Sequence, residues 1–223
     1  ETGQSFAELA KSATEFSRQG LGAAETLKRT RDAMVLVRLS GLDVNSAVES
    51  ITATLNSFNQ TVITSTQLVN KLANVDAAFA VSSADLADAI RRVGSSAQDA
   101  NVGIDQLIAM VTTAQQVTAR GGSVIGNSLK TIFTRLQRPA VLNDLEAFGV
   151  KVKNAQGAML PAVQVLKNFS NAYGGLAPAQ KAVAAEMVGG VFQVNVLKAA
   201  IGDLGKQFSL YDRALSTSVS STN

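Results

Sequence analysis

Residues 70–139, NKLANVDAAFAVSSADLADAIRRVGSSAQDANVGIDQLIAMVTTAQQVTARGGSVIGNSLKTIFTRLQRP, read as three consecutive helices with polar or glycine joints. Ser82 or Ser83 precedes ADLADAIRRV, and Asp85 and Asp88 follow early, where carboxylates favour the positive end of a helix dipole. Leu86, Ile90, Val93 and Ala97 recur at helical spacing on one face, and residues 99–103 form a turn. Ile104, Leu107, Val111 and Ala114 line the next helix, until Arg120, Gly121 and Gly122 interrupt the pattern. Ile125, Leu129, Ile132, Phe133 and Leu136 then make the strongest apolar stripe of the chain, and Pro139 stops it. Short joints imply antiparallel neighbours, so the stretch is expected to be a three-helix unit.

On the N-terminal side, the spacing of Phe6, Leu9, Ala13 and Phe16 predicts a helix over 5–18, with Gly20 and Gly22 as its joint. A second helix is predicted over 23–40, with Gly41 as C-cap and Asp43 or Asn45 opening the next. Val48, Ile51 and Leu55 carry a helix over 46–58, and an Asn59-Gln60 break separates it from one near 62–75. On the C-terminal side a short helix over 141–148 ends at Gly149. In the following segment, VKVKNAQGAMLP, Val150 and Val152 alternate with lysines and residues 154–157 supply a turn, which predicts a small β-hairpin. Helices resume over 161–173, 177–188, 191–201 and 205–216, jointed by Gly174-Gly175 and Gly189-Gly190. The expected fold is all-α, layered antiparallel helical hairpins with one β-hairpin near residues 150–160. Three regions are expected: an N-terminal helical segment (1–69), a helical core (70–149), and the hairpin with the C-terminal helices (150–223).

Composition limits the chemistry. The 223 residues are 46% hydrophobic but only 5% aromatic and contain no Trp, so the apolar mass is Ala, Val, Leu and Ile, suited to close helix packing. With neither Cys nor His, disulfides, thiolate nucleophiles, cysteine metal sites and the commonest general base are absent. A non-enzyme without metal or cofactor is expected. The net charge of +3 is mild. No leader of charged-then-apolar type opens the sequence, and its polar end lacks a helix stop; both ends read as cuts through a longer polypeptide.

Four segments admit a sharper chemical reading beside a plainer one. The run from Arg120 to Lys130 resembles a phosphate cradle but fails the GxxxxGK[ST] spacing, so a glycine helix joint is preferred. Asp85, Asp88 and Asp105 suit capping better than metal or acid–base work. The basic residues Arg120, Lys130, Arg135, Arg138, Lys151 and Lys153 lack interleaved aromatics for stacking on bases, which favours a solvated face or one toward an acidic protein. Residues 182–202 have membrane-crossing length, but Glu186, Gln193, Asn195 and Lys198 interrupt them, and a mid-membrane charge costs about 2.5–3.5 kcal/mol.

The runs DLADAIRRVGSSA, GIDQLIAMV, GGSVIGNSLKTIFTRL and DLEAFGV, taken together, resemble the conserved core domain of phage tail tape-measure proteins over residues 75–150. LPAVQVLK and EMVGGVFQVNVLKAAIGDL are similar to that domain's continuation, whereas residues 1–60 match only in texture. The resemblance implies a structural virion protein that sets tail length during assembly, occupies the tail tube lumen or tip, and leaves at infection to aid DNA delivery. Implied partners are tail tube and distal tip proteins, assembly chaperones in the host cytoplasm, and further copies of itself, as a trimer; no specific nucleic acid is implied. Contact with the host membrane at ejection, through a channel-forming segment, is the alternative role. Packing and partner contacts are expected from Leu86, Ile90, Val93, Leu107, Val111, Ile125, Leu129, Ile132, Phe133 and Leu136. Helix joints are expected at Gly121, Gly122, Pro139, Gly149, Gly189 and Gly190.

Overall fold

The computed structural model describes residues 6–58, 62–207 and 209–221. The expected Asn59-Gln60 break, the Ser5 start of the first helix, and Phe208 within the last predicted helix lie outside the described residues. The described residues form an all-α fold. Its first helices are α1 (Phe6–Arg18), α2 (Ala23–Ser40), α3 (Val44–Phe58), α4 (Ser65–Ala78) and α5 (Ser83–Asp99). They are followed by α6 (Ile104–Thr118), α7 (Gly122–Arg135), α8 (Pro139–Ala147), α9 (Ala162–Tyr173), α10 (Pro178–Leu204) and α11 (Leu210–Ser220).

Local chemistry sets most of these boundaries. Thr64 and Gln67 cap α4 reciprocally: the Gln67 amide donates to Thr64 Oγ1 at 3.2 Å, and the Thr64 amide donates to Gln67 Oε1 at 3.0 Å. The Asp85 amide donates to Ser82 Oγ at the start of α5, and Gly41 takes the left-handed conformation (φ +70°) that closes α2. Buried apolar residues from Phe16 to Ala214 make one connected core.

Helix order in sequence does not set helix order in space. α5 packs most extensively on α7, although α6 separates them in the chain, and the main partner of α6 is α11. Two glycines explain the preference. A β-carbon at Gly122 would stand 2.7 Å from the Asp85 α-carbon, and one at Gly126 would stand 2.9 Å from the Ala89 α-carbon. The two helices therefore cross with backbone nearly on backbone, one turn apart at each contact, in the manner of small-xxx-small crossings.

The β-hairpin expected near residues 150–160 is not formed. Among the described residues there is no strand, only an isolated antiparallel bridge between Lys153 and Met159. The Asn154 side chain closes the loop by accepting from the amides of Gln156 and Ala158, and the Leu160 amide donates to the Val152 carbonyl. Val150 and Val152 are buried in the helical core, no third strand supports the pair, and Pro161 ends the return arm. The alternation was real, but it reflects two valines anchoring a loop.

At the C-terminal end, α11 starts at Leu210 and not at Gly205. The buried Asp203 carboxylate accepts from the amides of Leu210 and Tyr211, and Ser209 Oγ accepts from Asp212, so the cap sits four residues later than the glycine. Replacing Gly122 with Ala is expected to destabilise the chain by about 3 kcal/mol or more, because backbone has to retreat. Gly202→Ala, at an exposed helical position with nothing within 4 Å, is expected to be neutral or to stabilise by about 0.5–1 kcal/mol. Urea denaturation of the two variants checks the contrast.

Candidate partner surface

The structure places all ten residues of the expected packing stripe inside the chain. Leu86, Ile90, Val93, Leu107, Val111, Ile125, Leu129, Ile132 and Phe133 have no exposed surface, and Leu136 is nearly as buried. Surface for a second protein must come from other residues. Of the expected joints, Gly121 and Gly122 open α7, Pro139 is the first residue of α8, and Gly149 (φ +79°) follows its end. Gly189 and Gly190 are a joint as expected: Gly190 has non-helical angles (φ +71°, ψ 164°), so the span labelled α10 is two helical segments meeting at a kink.

The side chains that sequence reasoning considered for chemistry are engaged with their own fold. The Asp85 carboxylate accepts from the Gly122 amide at 2.6 Å and from Gln115 Nε2 at 2.6 Å, so it ties the starts of α5 and α7 to α6. The anion-attracting helix start in the Arg120–Lys130 run is thus occupied by a carboxylate of the same chain. Asp88 pairs with Arg91 and Arg92; burial pushes its carboxyl up, but those bonds outweigh it and hold the group below the ordinary carboxylate value. Asp105 receives the buried Lys71 ammonium at 2.7 Å and the Ser218 hydroxyl, and Lys71 also donates to the Ser218 carbonyl, joining α4, α6 and α11. Among the basic residues, Arg135 turns inward to donate to the Met187 carbonyl at 2.9 Å, and Lys153 pairs with Glu146. Arg138, Lys130 and Lys151 stay exposed.

Sequence reasoning missed two features. The contacts of Asp85 with Gly122 and Gln115, and of Asp203 with the start of α11, carry no local signal. The other is the elbow of α10, where Val191 and Phe192 are 67% and 86% exposed directly after the bend, with Val183 58% exposed on the preceding segment. Beside them is a cleft of about 350 Å³ lined by Arg135, Val183, Glu186, Met187 and Val191. Large apolar side chains at that exposure, gathered on one element beside a cleft, form a candidate partner surface. By length and composition α10 could also cross a membrane, yet half of its most apolar window is buried within the fold and Gly190 bends it.

The family described as "Phage-related minor tail protein" matches residues 1–190. No solved structure matches the chain. Replacing Asp85 with Ala is expected to cost about 2–3 kcal/mol by leaving the Gly122 amide and the Gln115 side chain without their acceptor, and Asp85→Asn is expected to recover part of that loss. Chemical denaturation of both variants beside the parent checks the order.

Proposed function

This chain belongs to the phage-related minor tail protein family, a membership that implies a structural, virion-associated role, and from that premise we propose that it is the conserved core of a tail tape-measure protein. In this reading the protein sets tail length during assembly, sits in the tail tube lumen or at the tip, and is released at infection to aid DNA delivery. It works by packing and carries out no catalysis. The observation that carries the reading is that the four quoted runs, from DLADAIRRVGSSA to DLEAFGV, lie wholly within the family-matched span. The geometry supports it from another side: the apolar stripes are consumed in one core, and Val183, Val191 and Phe192 stay exposed on α10.

The proposed partners are the tube and tip proteins, assembly chaperones in the host cytoplasm, and further copies of the chain, in a trimer. Val191 and Phe192 are the proposed contact with them. A second reading, a membrane-active channel segment used in genome ejection, has one observation in its favour: the length and apolar composition of Pro178–Leu204. Leakage from anionic lipid vesicles on addition of the folded chain would support it, and vesicles left intact would count against it.

Tail assembly in the phage tests the leading reading. The double change Val191→Ser and Phe192→Ser, at exposed positions, is expected to alter stability by no more than about 0.5 kcal/mol. Tails counted and measured by electron microscopy should then be missing or of uncontrolled length. Tails of parental number and length would overturn the proposed contact.

A further inference from the structure

The bend of α10 is held by something outside the helix. Gly190 adopts φ +71° and ψ 164° within an otherwise helical span of 27 residues, a backbone conformation that side chains with a β-carbon rarely adopt. The sequence around it, AAEMVGGVFQVNVLKAA, contains no Pro; its Gly189-Gly190 pair weakens the helix and permits a kink, but a glycine pair does not by itself fix the direction or angle of the bend. What holds the bend lies on α7. The Arg135 guanidinium packs against Gly190, where its atoms would stand 3.3 Å from an added β-carbon, and its Nη1 donates to the Met187 carbonyl at 2.9 Å. A carbonyl at the end of a helical segment lacks its normal partner, and a charged donor satisfies it well.

The two halves of α10 are unequally anchored. After the bend, Val196, Leu197, Ala200, Ile201 and Leu204 are buried. Before it, only Ala184, Ala185 and Val188 are buried among the side chains longer than a hydrogen. Partly buried Met187 also packs against the core and the Tyr173 hydroxyl donates to the Lys181 carbonyl, so the first half rests on a few small contacts, to which the cross-helix bond from Arg135 adds a charged one. Its N-terminal end is tethered to α9 by residues 174–177, which include Gly174 and Gly175 and reach about 13 Å when extended.

We propose that Gly190 is a hinge and the Arg135 guanidinium its latch: the arm 178–189 exchanges between the bent form, held on α7, and an opened form in which α10 approaches one continuous helix. Opening lifts Val183 and Met187 away from α7 and brings them into line with the exposed Val191 and Phe192, lengthening the apolar face of the elbow. A partner that favours the lengthened face shifts the population toward the open form. The device depends on the geometry of α7 and α10 and stands apart from the tail reading.

The absence of Cys allows a direct distance measurement. Spin labels on Ala182→Cys and Lys198→Cys, both exposed, would be about 24 Å apart along a continuous helix, and closer in the bent form. Pulsed electron resonance on the whole chain is expected to give a mainly short distance, with a minor longer component. Arg135→Met should raise the longer component at least about fivefold, and Gly190→Ala should make it dominant. Distributions that superimpose on the parent in both variants, with helix content retained by circular dichroism, would overturn the proposal. Amide exchange of the unsubstituted chain needs no variant to fold: residues 178–189 are expected to exchange at least about tenfold faster than 191–204, and equal protection on both sides of Gly190 would also overturn it.

Discussion

The fold depends on one close approach, the crossing of α5 and α7 through Gly122 and Gly126. Side chains larger than hydrogen at those two positions would meet the backbone at Asp85 and Ala89. With hydrogen there, α7 settles deep enough for Ile125, Leu129, Ile132 and Phe133 to reach full burial. The same depth brings the Gly122 amide within reach of the Asp85 carboxylate, which then also holds Gln115 of α6. One backbone contact thus sets the spacing of three helices, and α10 packs in turn on α7. Packing of this kind gains dispersion from many small contacts and leaves little tolerance for added volume.

The charged groups serve the same end. Asp85 and Asp105 each accept from groups on more than one segment, Asp203 joins the end of α10 to the start of α11, and Lys71 reaches both α6 and α11 from its buried position on α4. Buried ion pairs of this sort add little net stability, because desolvation offsets attraction, but breaking one partner is costly. They fix which helix ends meet. A chain with few aromatic anchors and many interchangeable Ala, Val and Leu faces gains a unique arrangement from such pins.

Periodicity made the helices legible, because a one-sided apolar stripe such as Ile125, Leu129, Ile132 and Phe133 has only one way to be buried. Capping residues made several ends legible too; Ser82 and Gly41 sit where their chemistry placed them. Long-range partners were not legible. Nothing near Asp85 in sequence points to Gly122, 37 residues away, and nothing near Arg135 points to Met187, 52 residues away. The valine–lysine alternation at 150–153 misled because alternation reports which side chains turn inward, and a loop anchored by two valines produces it as readily as a strand. The Gly189-Gly190 pair was read correctly as a discontinuity, but its consequence, an apolar elbow on the surface, depends on where α7 lies. The expected stripe residues gave the core; the exposed apolar residues Val183, Val191 and Phe192 on α10 were not among them.

The most direct measurement is nuclear Overhauser contact between assigned α-protons across the α5–α7 crossing in the folded chain. Backbone contact at this spacing predicts cross-peaks from the Gly122 α-protons to Asp85 and from the Gly126 α-protons to Ala89. Ordinary helix packing sets the axes about 8–10 Å apart with side chains between the backbones, and gives weak peaks or none between facing α-protons. Their absence, in a chain whose α5 and α7 are otherwise helical by chemical shift, would contradict the account.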